Sequence, residues 1–178
     1  MMNKKRILLA VSSVFFCFVS CAHTKPDNKE NQIDTEDFYN SAHHWYDIYE
    51  SKNVINAEPN QPRYKPAQIK EIADNVLLYQ RDNGGWPKNY DMRAILNAEQ
   101  QDRVLKAKSA LHTTFDNCTT YSHIKYLAKA YQITGTEKYK DACLRGIDFT
   151  LSAQYPNGGW PAIFPFGIEL QHTYHVQR

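Results

Sequence analysis

Gln80-Arg81-Asp82-Asn83-Gly84-Gly85-Trp86-Pro87 returns as Gln154-Tyr155-Pro156-Asn157-Gly158-Gly159-Trp160-Pro161, at a constant offset of 74 residues and with Gln, Asn, Gly, Gly, Trp and Pro identical. A repeat of this length sets the architecture before any other signal, because a unit too small to bury its own apolar face stacks on its neighbours. Asn-Gly-Gly supplies positions that tolerate positive φ, so the chain can turn sharply behind a helix. The Trp then folds back over the helix end and the Pro fixes its direction. A tight turn with a packed Trp explains these residues without any chemistry.

A helix precedes each turn. Ile69, Ile72, Ala73, Val76, Leu77 and Gln80 form a stripe of 3.6-residue period and predict a helix over residues 66–80. Tyr139, Ala142, Cys143, Ile147, Thr150 and Leu151 do the same over 137–154, with Thr136 placed to cap it. Ile124, Leu127, Ala128 and Tyr131 share one face of a helix expected over 120–133, which Gly135 can end. A shorter aromatic helix is expected over 41–50 and another over 94–107, and strand signals are sparse. Helix, tight turn, long return, helix and the same turn describe antiparallel helical hairpins around an axis. The expected fold is all-α, a partial (α/α) toroid or barrel with its turns gathered at one rim.

Composition agrees with one globular domain. The 178 residues are 42% hydrophobic and 22% charged with a mean hydropathy of −0.63, which excludes collagen-like, low-complexity and polytopic membrane chains. The formal charge of +2 includes Lys4, Lys5 and Arg6, which lie in a segment read as cleaved; without these three the chain carries −1. The pI of about 8.3 is therefore no argument for a nucleic-acid partner. Aromatics reach 13%, enough to line a groove for a flat-faced ligand such as a sugar, although on composition alone ordinary core and surface tyrosines are the preferred account.

Lys4-Lys5-Arg6 is a positive n-region, and the 14 residues from Ile7 to Ser20 are an apolar run too short for a membrane span. The run ends Phe18-Val19-Ser20-Cys21, similar to a bacterial lipobox with Phe in place of the usual Leu. Residues 1–21 read as a lipoprotein-type signal with Cys21 lipidated, 22–35 as a polar tether, and 36–178 as an incomplete folded domain. The expected location is outside the cytoplasm, at the periplasm, outer membrane or cell surface, with the lipid as membrane anchor. Cys118 and Cys143 remain in a disulfide-permissive compartment and could pair, but Cys143 falls on the apolar face of a predicted helix, where a buried free thiol is the preferred reading. No Cys/His spacing suggests zinc.

Two stretches can carry chemistry. Lys88 follows the first turn directly, where the second has Ala162, and a cation beside Trp86 and Tyr90 could hold a carboxylate; a solvated surface charge is the plainer account. His112-Thr113-Thr114-Phe115-Asp116-Asn117-Cys118-Thr119-Thr120 places oxygen-bearing side chains just before a helix. Asp116 or Asn117 could simply cap that helix. Asp, Asn and Thr are also hard oxygen ligands that suit Ca²⁺, though one carboxylate needs a second acid or an anionic substrate to complete the shell. His43, His44, His172 and His175 stand in no strong metal spacing, and neither GxSxG nor a phosphate-binding glycine loop occurs.

The segments Asn83–Tyr90, Thr114-Phe115-Asp116-Asn117 and Ala153–Pro161, in this order and spacing, resemble polysaccharide lyase family 10, the pectate lyases, over about residues 64–166. The resemblance implies an (α/α) toroid that cleaves polygalacturonate, the pectate backbone, by Ca²⁺-dependent β-elimination, with an arginine as base. It implies Asp116 as a calcium ligand with Asn117 beside it, Lys88 holding a substrate carboxylate, and Thr120 lining the same groove. Cys118 stands where the family commonly has Gly.

The family continues with a Phe-Asn-Asp-Asn segment bearing a second calcium-binding acid, and its catalytic arginine lies further on. Neither is present here, so the base is expected beyond the C-terminus and is unknown within this chain. After Phe166 the resemblance stops, and codons for Tyr174-His175-Val176-Gln177-Arg178 read one base later can spell Ile-Thr-Phe-Asn-Asp, which suggests a frameshifted or truncated reading of a longer gene. The expectation is the N-terminal part of a pectate lyase, monomeric, its activity in this chain open. The alternatives are an α/α surface lipoprotein that binds acidic glycans without cutting them, and another toroid uronate lyase or hydrolase.

Overall fold

The computed structural model describes residues 32–47 and 53–165. The leader, Cys21, most of the tether and the tail after Phe166 lie outside the described residues. A 3-10 turn, Glu36–Phe38, leads into α1 (Tyr39–Asp47), followed by α2 (Ile69–Tyr79), α3 (Ala98–Lys106), β1 (Thr113–Thr114), α4 (Tyr121–Thr134), α5 (Glu137–Ser152) and β2 (Ile163–Phe164). The described part is thus helix-rich, with one two-residue antiparallel pair in which Thr113 faces Phe164 and Thr114 faces Ile163.

α2 is the central helix because its stripe is apolar on the side that three other elements need. Ile72, Ala73 and Val76 are fully buried, joined by Trp86, Met92, Ala94, Leu127, Ala130 and Ala142. After the first turn the chain runs back along α2, held there by Asn75, whose amide donates to the carbonyls of Met92 (3.0 Å) and Ala94 (2.6 Å). α1 is fastened to this return segment by Ser41, whose hydroxyl donates to the Tyr90 carbonyl and accepts from the Tyr90 amide. α3 opens on a capping box formed by Asn97 and Gln100. α4 ends at Gly135, φ 64°, and α5 packs back against α4.

The two turns are the same object built twice. In the first, Gln80 Nε2 donates to Gly84 O, Arg81 N to Gly85 O, Gly84 N to Arg81 O, Gly85 N to Asn83 Oδ1, and Trp86 Nε1 to Val76 O. In the second, Gln154 Nε2 donates to Gly158 O, Tyr155 N to Gly159 O, Gly158 N to Tyr155 O, Gly159 N to Asn157 Oδ1, and Trp160 Nε1 to Thr150 O. Gly84 and Gly158 hold φ of 91° and 86°, so the glycine is required by the backbone in both.

Several local expectations change. Thr136 stands at the start of α5 but its side chain makes no capping bond. The buried face of α5 is Tyr139, Ala142, Cys143, Gly146 and Phe149, leaving Ile147 and Leu151 outside. The buried face of α4 is Ser122, His123, Tyr126, Leu127 and Ala130, with Ala128 turned to solvent. Besides α5 and α2, α4 meets aromatic rings from the 3-10 turn and the return segment, and Phe38 lies against Tyr126. His123 is enclosed there by Phe38, Trp86 and Tyr90. Cys118 and Cys143 are both free, and Cys143 is buried beside the Ile124 carbonyl.

Candidate functional site

Residues 113–120 lie between the two turns and are tied to both. The Thr114 amide donates to the Trp86 carbonyl (2.9 Å), and the Phe115 amide and the Thr114 hydroxyl both donate to the Ala162 carbonyl (2.9 and 2.8 Å). The duplicated turns therefore act as two posts between which the loop is strung. Asp116 follows, its amide donating to Thr114 Oγ1, and Thr120 Oγ1 donates to the Thr114 carbonyl at 2.6 Å.

The loop is held in unusual backbone geometry. Asn117, Cys118 and Thr120 have φ of 52°, 57° and 62°, and Asn89, next to Lys88, has 55°. Positive φ is uncommon outside glycine, and for a β-branched residue such as Thr120 it is a real outlier. Strain of this kind persists only where surrounding structure over-determines it, and it concentrates at ligand-handling sites. Here the constraint is visible: Asn117 Nδ2 donates to Asn89 Oδ1 at 2.8 Å, both residues being buried.

This clamp brings Lys88 to Asp116. Lys88 Nζ stands 3.3 Å from Asp116 Oδ2, with side chains 35% and 50% exposed, so the pair is reachable by a ligand. The other carboxylate oxygen, Oδ1, accepts the Asn117 amide at 2.9 Å. Next to the loop, the hydrogen bond between Tyr121 and Cys118 pushes the Tyr121 hydroxyl up to about 12.

Of the four expected site residues the structure brings Lys88, Asp116 and Asn117 together. Asn117 has its amide committed to Asn89, and Thr120 is fully buried with its hydroxyl bonded to backbone, so its observed role is to shape the loop. Asn89 and Thr114 were assigned no role by the sequence, although both sit in the quoted motifs; their function is to hold the others. A calcium ion needs six to eight oxygens. Asp116 supplies one carboxylate, and no group of three His, Cys, Asp or Glu suited to a metal occurs among the described residues. The loop therefore does not fit a resident calcium ion by itself. A cleft of about 610 Å³ opens elsewhere, lined by Tyr39, His43, Tyr46, Arg63 and Arg93 among others, and includes none of the loop residues. We place the candidate site on the loop, where strain, the repeat and an accessible ion pair coincide.

The described residues thus form a helix-rich, repeat-built protein with an accessible Lys–Asp pair on a strained loop. The chain belongs to the pectic acid lyase family, whose sequence profile matches residues 80–177. Two solved structures are also similar: a family 10 polysaccharide lyase from Cellvibrio cellulosa, at 33% identity and TM-score 0.48, and a mutant of such a lyase from that organism in complex with trigalaturonic acid, at 32% identity and TM-score 0.48. Each alignment covers 56% of this chain, which spans 28% of the length of those lyases. The comparison with curated proteins found no match.

Proposed function

We propose that this chain handles polygalacturonate as a pectate lyase does, cleaving it by β-elimination. What supports the reading, beyond family membership, is the Lys88–Asp116 pair held between the duplicated turns. The C5 proton of a galacturonate is weakly acidic because it adjoins a carboxylate, and its removal moves negative charge onto that carboxylate. An ammonium fixed beside the charge stabilises it more than water does, because the dipole and charge need no reorganisation. Lys88 serves as that partner, and Asp116 is its counter-ion until a uronate takes that place. No residue is assigned as the base. Calcium belongs to the proposal as an ion recruited with the polymer, Asp116 giving one carboxylate and the uronates the others.

The repeated turns further support antiparallel helical hairpins arranged around an axis, the (α/α) toroid. The N-terminal residues support export and a lipid on Cys21, the reading in which a short polar tether links the domain to a membrane. Replacing Cys21 with Ala should release the protein from membranes; retention would remove the anchor from the proposal.

The function is tested by incubating the full chain with polygalacturonate and following the ultraviolet absorbance of the unsaturated product, with calcium chloride and with EDTA. Calcium-dependent product that falls in Lys88→Ala is the expected result. Folded protein that neither forms product nor retains polygalacturonate on an affinity gel would overturn it. Retention without product would favour the glycan-binding alternative.

A further inference from the structure

The cleft of about 610 Å³ lies between α1 and the return segment, and its two walls differ in chemistry. The helical wall is aromatic. Tyr39, Ala42, His43 and Tyr46 stand at i, i+3, i+4 and i+7 of α1 and share one stripe that lines the cleft. The rings of Tyr39 and His43 are parallel within 6° at a centroid distance of 5.8 Å, and Tyr39 is 71% exposed. Ala42, buried between them and Tyr46, keeps the wall shallow there.

The opposite wall is cationic. Arg63 bridges Ala94, and the Tyr64 amide donates to the Arg93 carbonyl, so both arginines reach the cleft from one paired segment. Each is held through Nε: Arg63 on Asp91 Oδ2 at 2.6 Å, Arg93 on the Tyr64 carbonyl at 2.9 Å. A bond at Nε fixes the guanidinium plane and leaves the two terminal nitrogens to a ligand. The nearby acids are mostly engaged. Asp91 accepts from Arg63 Nε, the Tyr46 hydroxyl and the Arg93 amide, and Asp47 is paired with His43 Nδ1 at 2.6 Å. Glu36 is exposed on the 3-10 turn, and no carboxylate among the described residues forms an ion pair with Arg93.

A guanidinium fork matches a carboxylate, and an exposed aromatic face matches the apolar face of a pyranose. A ligand that carries both is a sugar acid. We infer that this cleft is a second binding site, separate from the loop, for a uronic acid unit of an acidic saccharide, with Arg93 on the carboxylate and Tyr39 under the ring. It holds the saccharide without cutting it. Lys88 and Arg93 lie five residues apart on the return segment, hence at most about 18 Å along the chain, so polymer held in the cleft is concentrated at the loop. The inference rests on the proposed function for the identity of the sugar acid, a galacturonate; the cleft itself asks only for a carboxylate and a sugar face.

The test titrates a galacturonate trimer into the full chain by calorimetry in EDTA, with Lys88→Ala as the background so that the cation of the loop is gone. Binding is expected to persist in that background. Adding Arg93→Gln, which keeps an N–H for the Tyr64 carbonyl but no charge, should weaken it about tenfold or more, the scale of a lost charge-assisted hydrogen bond. Adding Tyr39→Ala should weaken it severalfold; this side chain is largely exposed, so its removal spares the fold and keeps the test decisive should Arg93→Gln unfold. A neutral galactose trimer should bind about tenfold more weakly than the acid. Three results would overturn the inference: no binding once Lys88 is replaced, cleft variants that titrate like the background, or a neutral trimer that binds as well as the acid. A parent chain that forms no unsaturated product but passes these titrations loses the lyase reading and keeps the site. A parent that forms product but fails them keeps the lyase reading and loses the site.

Discussion

Gly146 lies flush against the indole of Trp86: a Cβ at that position would stand 2.8 Å from the ring and equally close to Ile124. A helix interior normally prefers alanine to glycine. Here close approach decides, and Gly146→Ala is expected to destabilise the protein by about 1–3 kcal/mol, the usual cost of forcing a methyl into a packed core. Urea denaturation monitored by circular dichroism measures it. An unchanged or raised midpoint would mean that α5 is free to shift away from Trp86.

The paired turns separate backbone strain from crowding. Gly84 and Gly158 share a φ near 90°, but among the described residues only Gly84 is crowded, by Arg145 O at 2.5 Å. Alanine at either site adopts an unfavourable left-handed φ, costing about 1–2 kcal/mol. Gly84→Ala should cost more than Gly158→Ala, because only there must a helix backbone also move. Equal losses in parallel denaturation curves would contradict the packing described for the first turn.

This difference also explains what could be read from the sequence. The turns were legible because their glycines and prolines answer to local backbone geometry, and α2 was legible because Ile72, Ala73 and Val76 are buried by their periodicity. The face of α5 was not. Ile147 and Leu151 are as apolar as the residues that bury, and periodicity cannot say which neighbour is beside them. On the site, Lys88 and Asp116 could be named from motif, but the Asn89–Asn117 clamp joins residues 28 apart and both are polar, so no hydrophobic pattern marks it. Asp91 was equally hidden: a fully buried carboxylate accepting from Arg63 Nε (2.6 Å), the Tyr46 hydroxyl (3.0 Å) and the Arg93 amide (2.9 Å) has no one-dimensional signature.

His123 gives the fold a pH dependence. It is fully buried among aromatic rings, its Nε2 has no partner, and burial holds its pKa down at about 3 instead of 6.5. The unfolded chain therefore binds a proton that the folded chain refuses between these values. The contribution of His123 to stability is complete above about pH 6.5 and is lost as the pH drops toward 3, at roughly 1 kcal/mol per pH unit. Replacing His123 with Phe should flatten the dependence between pH 6 and 4 by roughly that slope. Identical slopes for the two proteins in urea titrations would show that His123 takes up its proton while folded.

Cys118 holds φ 57° in the strained loop, at a position where a side chain is disfavoured. Cys118→Gly is expected to stabilise by about 0.5–1 kcal/mol, the relief of left-handed strain exceeding the added freedom of the unfolded chain. Differential scanning calorimetry would register a higher midpoint. A lower one would mean that the thiol's bond with Tyr121 outweighs the strain.

Lys88 and Asp116 should separate function from stability. Their pair is half exposed, and such pairs contribute about 0–1 kcal/mol to folding. Lys88→Ala and Asp116→Ala are therefore expected to unfold within about 1 kcal/mol of the parent. Retention on a polygalacturonate affinity gel should nevertheless fall in Lys88→Ala, because the cation that meets the uronate is gone, and the residual interaction should weaken less with added salt. Asp116→Asn offers a finer comparison. It keeps an oxygen for the Asn117 amide, so the loop stays shaped, while the charge beside Lys88 disappears. Without calcium it should bind the polyanion at least as well as the parent, since a competing carboxylate has been removed. Weaker binding under those conditions would mean that Asp116 acts chiefly by aiming Lys88, and that the loop depends on the ion pair as well as on the Asn89–Asn117 clamp.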